Sequence, residues 1–187
     1  MMKKKMVMSV ASITTVLLLS ACAGDQAEKT PDVEEENMAE MDHSNMNHSS
    51  SGEVPEGLKK AENPTFPVGS KATIQSDHMD GMKGAEATIS GAFDTVVYTV
   101  SYTPTTGGAA VTDHKWVIHE ELENASEKPL KPGTEVVLNA DHMAGMNGAT
   151  ATIDSAVETT VYMVDFTAST GEQVTNHKWV TEDELAD

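Results

Sequence analysis

Asp77-His78-Met79-Asp80-Gly81-Met82-Lys83-Gly84-Ala85 returns sixty-four residues later as Asp141-His142-Met143-Ala144-Gly145-Met146-Asn147-Gly148-Ala149. A D-H-M-x-G-M-x-G-A string of that length does not recur by chance. The chain therefore contains an internal duplication, and a fold proposed for one copy must suit the other. Gly69 matches Gly133, and the offset of 64 holds through Gly107 and Gly171. It becomes 63 where His114-Lys115-Trp116-Val117 faces His177-Lys178-Trp179-Val180. The lost residue falls at Gly107-Gly108 against Gly171, where a hairpin loop tolerates a change in length.

Within each copy the hydrophobic period is two. Tyr98-Thr99-Val100-Ser101-Tyr102 alternates apolar with polar residues, and Tyr162-Met163-Val164-Asp165-Phe166 keeps the same inward face. Lys71–Gln75 with Glu135–Asn139 predicts an earlier strand, and Ala85–Ile89 with Ala149–Ile153 another. Val111–Ile118 and Val174–Thr181 predict a last strand, followed by a short acidic turn ending at Leu122 or Leu185. Several short strands in a small unit suit a closed or nearly closed barrel, which hides sheet edges. The expected class is all-β, with one repeat over 64–123, a linker over 124–131 and a second repeat over 132–187.

The N-terminus is different in kind. Lys3-Lys4-Lys5 precedes an apolar run from Met6 to Leu19, closed by Leu19-Ser20-Ala21-Cys22. A basic start and a short apolar run form a secretory signal, here 1–21, and are too short for a stable membrane span. Leu-Ser-Ala-Cys has the form of a bacterial lipobox, in which Cys22 becomes the lipidated first residue. Cys22 is the only cysteine, so no intrachain disulfide can form. The mature chain is expected to be lipid-anchored on the extracytoplasmic face of the cell membrane. Removing three of twelve Lys and none of thirty acids gives a mature charge of 9 − 30 = −21, and there is no Arg. Arg is the usual bidentate reader of phosphate and guanine, so this balance argues against a nucleic-acid partner.

Residues 22–63 contain Glu34-Glu35-Glu36, Ser49-Ser50-Ser51 and no Phe, Tyr or Trp, too little apolar surface to offset ordering entropy. A disordered tether is expected there. Inside it Met38, Met41, His43, Met46 and His48 form a Met/His cluster in a segment with no core to fill, flanked by Glu40 and Asp42. Thioether and imidazole suit copper, especially Cu(I), while the carboxylates add oxygen donors for Cu(II). In the repeated motif, His78 with Met79 and His142 with Met143 are the candidate exposed ligands. Met82 and Met146 are candidate ligands as well, or flexible core fillers beneath a glycine-bearing loop. His114 and His177 share strand parity with Trp116 and Trp179 and are read as hydrogen-bonded structural residues. His119 has no counterpart in the second copy, where Glu182 stands.

The lipobox, the Met/His-rich tether and two copies of D-H-M-x-G-M-x-G-A…Y-x-V…H-K-W-V-x-x-x-E-L together resemble the YdhK family of bacterial lipoproteins, over the whole chain. The resemblance implies two tandem small SH3-like β-barrel repeats outside the membrane. Through CopL-type relatives it also implies copper binding and a part in copper resistance. It brings no ligand set, so the copper ligands above rest on the residues themselves. The expected function is copper binding or buffering at the cell surface. The alternative is an interaction module that holds a peptide or cell-wall polymer through its paired repeats. No Gly-x-Ser-x-Gly, phosphate loop or His-Glu-x-x-His is present, and an enzyme is not expected.

Overall fold

The computed structural model describes residues 48–187, and these form a single mixed-length antiparallel sheet with no α-helix. Its strands are β1 (Lys59–Lys60), β2 (Lys71–Ile74), β3 (Glu86–Tyr102), β4 (Val111–Ile118), β5 (Glu135–Val137), β6 (Thr150–Thr167), β7 (Gln173–Thr181) and β8 (Leu185–Ala186). Single 3-10 turns, His119–Glu121 and Glu182–Glu184, follow β4 and β7 at the two acidic turns expected from the sequence.

Two long strands dominate. In each repeat the pair of short strands expected around residues 85–89 and 98–102, or 149–153 and 162–166, is one continuous strand, of 17 residues in β3 and 18 in β6. Register shifts between Ile89 and Gly91 and between Thr99 and Val100 break the parity without ending the strand. The inward residues are therefore Ala87 and Ile89 first, then Ala92, Tyr98, Val100 and Tyr102. β3 and β6 pair along nearly their whole length, and Thr95 sits opposite Thr159, its own counterpart at offset 64. The two repeats are thus related by an approximate two-fold axis through that pair.

This crossing redistributes the core. One cluster joins Ala72, Ile74, Met82 and Ile89 of the first repeat to Tyr162, Val164, Val180 and Leu185 of the second. The other joins Tyr98, Val100, Val117 and Leu122 to Leu138, Met146 and Ile153. A third, at the crossing, packs Phe93, Val97 and Ile118 against Val161, Met163 and Trp179. The hydrogen-bonded sheet is open, in the order β5-β6-β3-β2-β8 with β1, β4 and β7 attached to the long strands. The all-β class and the tandem repeats expected from the sequence are present, and each core draws on both repeats.

The expected disordered tether also ends earlier than residue 63. Leu58 packs on the third cluster, Lys59 and Lys60 pair with Asp94 and Phe93, and Phe66 is buried. Ser50 donates its backbone N–H to Thr175 at 3.0 Å and its hydroxyl to the Asn176 carbonyl at 2.6 Å. A few well-placed apolar anchors hold a segment whose average composition is polar. The linker is held too: Leu130 N–H donates to the Tyr98 hydroxyl, and His119 bonds both that hydroxyl and the Ser126 carbonyl.

The repeated glycine loops dock on the opposite repeat's hairpin turn. Thr105 N–H donates to Gly145 O at 2.8 Å, and Ser169 N–H donates to Gly81 O at 2.9 Å. Gly145 has φ +77°, and a Cβ there would stand 2.5 Å from Thr106 Oγ1 and 3.1 Å from Thr106 N. Gly148 has φ +76° but open space around it. Gly145→Ala is therefore expected to cost about 2–3 kcal/mol, combining left-handed strain with a clash, and Gly148→Ala about 1 kcal/mol from strain alone. Urea midpoints of the two variants measure the difference, and equal losses would contradict the docking role of Gly145.

Candidate metal centre

Five of the chain's seven histidines, His48, His78, His114, His142 and His177, line one cleft of about 780 Å³ between the repeats. The D-H-M loops supply His78 and His142, while β4 and β7 supply His114 and His177. The rings stand in two pairs, and each pair crosses repeats. His78 and His177 are 6.5 Å apart between centroids, and His114 and His142 are 6.1 Å apart.

Two glutamates fasten this arrangement. Glu121, at the end of the first 3-10 turn and 4% exposed, accepts the Ile118 N–H of its own repeat. It also accepts Trp179 Nε1–H at 3.1 Å and His142 Nε2–H at 2.8 Å, both from the other repeat. Glu184 repeats the pattern in mirror sense. It accepts Thr181 N–H, Trp116 Nε1–H at 2.8 Å and His78 Nε2–H at 2.8 Å. Each carboxylate thus ties its own strand end to an indole and an imidazole of the partner repeat. Burial by itself would raise the Glu184 carboxyl, but the bond and charge of His78, with Thr181 N–H and Trp116, hold it below the usual range.

The strand histidines are kept neutral. Burial, then the charges of His142 and His78, lowers His114 to about 4, with Glu121 opposing. Burial likewise lowers His177 to about 4, with the His48 carbonyl bond opposing and His78, His48 and His142 adding to the shift. The Nε2 atoms of both are buried without a hydrogen-bond partner among the described residues. His177 Nδ1 faces the His48 carbonyl at 3.4 Å. A carbonyl only accepts, so Nδ1 carries the proton and Nε2 is left with its lone pair. In the loop histidines Nε2–H donates to the carboxylate, and in the neutral ring the lone pair falls on Nδ1. Imidazoles whose second nitrogen donates to a carboxylate or carbonyl are the usual form of metal-ligating histidine. Among the described residues no three His, Cys, Asp or Glu side chains already stand at coordinating distance, so taking up an ion requires ring rotation within the cleft.

A pH dependence follows for the metal-free protein. Unfolded histidine titrates near its ordinary 6.5, and folded His114 and His177 near 4. Between those values the unfolded chain binds more protons, so stability falls as pH drops from about 6.5 to about 4 and the histidine contribution levels off below. The loss is at most roughly 3 kcal/mol per histidine. Urea midpoints from pH 7.5 down to 4 in the presence of chelator measure it, and midpoints that do not move before pH 4.5 would contradict it.

The sequence-expected ligands fare unequally. His78 and His142 are in the cleft, and His48 lies at its edge. Met143 also lines it, although its sulfur accepts the Tyr102 hydroxyl at 3.8 Å. Met79 is 8% exposed within the first core cluster, and Met82 and Met146 are wholly buried in the first and second, so these three serve as packing rather than as cleft ligands. Cys22, Met38, Met41, His43 and Met46 lie outside the described residues, as does the signal segment 1–21. His114, His177, Glu121 and Glu184 were not among the expected site residues. The glutamates had a signal: H-K-W-V-x-x-x-E-L keeps its Glu in both copies while Ile118-His119-Glu120 changes to Thr181-Glu182-Asp183.

The paired, interlocked repeats place the chain in a defined class. It belongs to the family described as protein of unknown function (DUF1541), whose model matches residues 68–119 and 132–182. Within it the chain is a member of the YdhK family. It is 52% identical over 183 residues to the uncharacterized protein YdhK of Bacillus subtilis (strain 168), covering 97% of this chain and 89% of the relative. The crystal structure of a DUF1541 family protein (ydhK) from Bacillus subtilis subsp. subtilis str. 168 superposes with a TM-score of 0.74 at 61% identity, over 77% of this chain and 99% of that one. A solution NMR structure of the ydhK C-terminal domain from B. subtilis gives 0.63 at 63% identity, over 65% of this chain and 92% of that one.

Proposed function

We propose that this protein is a lipoprotein, anchored through Cys22 on the extracytoplasmic face of the cell membrane, that binds and buffers copper and so contributes to copper resistance. The observation that carries the reading is the convergence of five of seven histidines on one cleft, two of them with a buried Nε2 that has no hydrogen-bond partner among the described residues. The Met/His cluster at residues 38–48 supplies a second, softer set of ligands ahead of the folded part. The same reading takes the two outer cores as SH3-like barrels built across the repeats. β2, the first half of β3, the second half of β6, β7 and β8 surround one, and β5 with β4 and the other halves of β3 and β6 surrounds the other. The role is binding and not catalysis.

An interaction module with a peptide groove is less well supported. The exposed large apolar side chains among the described residues are Val54, Val68 and Val157, none of them aromatic. Copper titration of the mature chain tests the proposal. It compares the chain with a variant in which Met38, Met41, His43, Met46 and His48 are changed to Ala, and with one in which His114 and His177 are changed to Gln. Each variant is expected to lose part of the bound copper. No binding by the unaltered chain would end the proposal.

A further inference from the structure

We propose that the middle of β6, Ser155–Glu158, is a docking edge for an extended, lysine-bearing peptide segment of a partner protein, which joins the sheet there as an added antiparallel strand. This goes beyond the copper reading and uses none of the histidine cleft.

The two-fold relation exposes a gap in the strand pairing. β5 pairs with β6 only over Thr150–Thr152, Gly133 N–H donates to Ile153 O, and β7 joins β6 only from Val161 onward. Between them no strand among the described residues lies along β6 on the side away from β3. The equivalent stretch of β3, Gly91–Asp94 at offset 64, is covered. There β1 sets Lys59 opposite Asp94 and Lys60 opposite Phe93, and Ala61 N–H donates to Ala92 O at 3.0 Å. That register turns the main-chain groups of Ala92 and Asp94 toward β1, and the two-fold relation turns those of Ala156 and Glu158 toward solvent. The linker does not fill the place. Glu123 N–H donates to Val137 O, so the chain follows β5, and Ala125 then packs against the second core. An uncovered strand edge is a template for another strand.

The side chains around the gap define what fits it. Phe93, opposite Lys60 of β1, is 5% exposed and meets the Trp179 ring edge-on at 5.8 Å. Its counterpart Val157 is 47% exposed, and Trp116 is less deeply buried than its counterpart Trp179. Leu58, just ahead of β1, packs on the third cluster, so an apolar partner residue in the equivalent place would cover Val157 and Trp116. Charge points the same way. Glu158 stands where Asp94 stands, is exposed, and its carboxylate has no hydrogen bond or ion pair among the described residues, whereas a lysine faces Asp94. The chain carries a net charge of −18, which draws a lysine-bearing segment and repels a second copy of itself. The occupant therefore has the pattern of Leu58-Lys59-Lys60-Ala61: an apolar residue, two lysines and a small residue. Such an edge binds through the main chain and needs no groove lined by aromatic rings.

The test follows amide shifts of the isotope-labelled mature chain, in chelator, as a blocked peptide of residues 56–63 is added. Shifts are expected at Ser155–Glu158 and at Trp116. Half-saturation should come on the order of 1 mM, since a few main-chain bonds and one apolar side chain carry the binding. Glu158→Lys should weaken it about three- to fivefold, and changing both lysines of the peptide to Glu should weaken it at least as much. Glu158→Pro removes the outward N–H without costing a bond to β3 and should abolish the shifts. Because the altered peptide leaves the protein untouched, that comparison stands even where a β6 variant fails to fold. Shifts at Gly91–Asp94 without those at Ser155–Glu158 would mean that the peptide only displaces β1. Shifts at Ser155–Glu158 that grow with protein concentration alone would give the edge to a second copy. Either result, equal binding of the Glu peptide, or no shift at about 5 mM peptide would overturn the proposal and leave the copper reading untouched.

Discussion

Cut within the linker, 124–131, the chain is expected to yield two pieces that do not fold as monomers. Each would keep a complete repeat of the sequence, yet neither would keep a complete core. The piece carrying the first repeat retains Tyr98, Val100, Val117 and Leu122 but loses Leu138, Met146 and Ile153, against which they pack. It also loses the long strand β6 from the side of β3. A unit of about 55 residues is already near the lower limit of independent stability, and half a core falls below it. Far-UV circular dichroism and urea titration at low micromolar concentration should show no cooperative transition for either piece. Mixing the pieces in equal amounts should restore one. At high concentration, a homodimer in which β3 or β6 pairs with its own copy is the folded form open to a single piece, since Thr95 and Thr159 already occupy equivalent places across the axis. A monomeric single repeat with a melt close to that of the whole chain would contradict the exchange of strands.

Glu121→Ala is expected to be among the most destabilising single substitutions in the described part of the protein. Glu121 is buried, and its carboxylate is the acceptor for Ile118 N–H, Trp179 Nε1–H and His142 Nε2–H. Its removal leaves the indole N–H of a fully buried tryptophan without a partner, and a loss of about 3–5 kcal/mol follows. Glu184→Ala breaks the equivalent clasp, but Glu184 and its partner Trp116 are less deeply buried than Glu121 and Trp179, so water can replace part of what is lost. About 2 kcal/mol is expected there. Glu121→Gln should fall between, since one amide oxygen cannot serve both the indole and the imidazole. Chemical denaturation of the three variants without metal gives the ranking. Equal losses at 121 and 184, or a loss below about 1 kcal/mol at 121, would show that the clasp does not hold the repeats together.

The duplication was legible from the D-H-M-x-G-M-x-G-A string, and period-two alternation located β2, β4 and β7 within a residue or two. It also identified the Tyr98/Val100/Tyr102 face correctly, because all three are buried. The joining of two short strands into β3 was not legible. Ser90-Gly91 looks like a break, whereas in the sheet it is a register shift, with Gly91 leaving room for the Phe93 ring. Nor does alternation say whose strand lies alongside. Both copies present the same face, and the pairing of Thr95 with Thr159 is a choice between equivalent partners that only tertiary packing makes. Alternation does not carry from the start of β4 and β7 through to the histidines, for a specific reason. Asp113 and Asn176 adopt φ of 51° and 52°, immediately before His114 and His177, and so reset the alternation. Val174 on one side of that kink enters the first core, while Trp179 on the other enters the third and His177 meets the cleft. Asp and Asn are the residues that tolerate this conformation, and their place before each histidine was the local sign.

The most direct measurement is anomalous diffraction at the copper edge from crystals of the protein grown with copper. A peak in the cleft lined by His48, His78, His114, His142 and His177 is the result expected. Copper bound only elsewhere on residues 48–187 would contradict it.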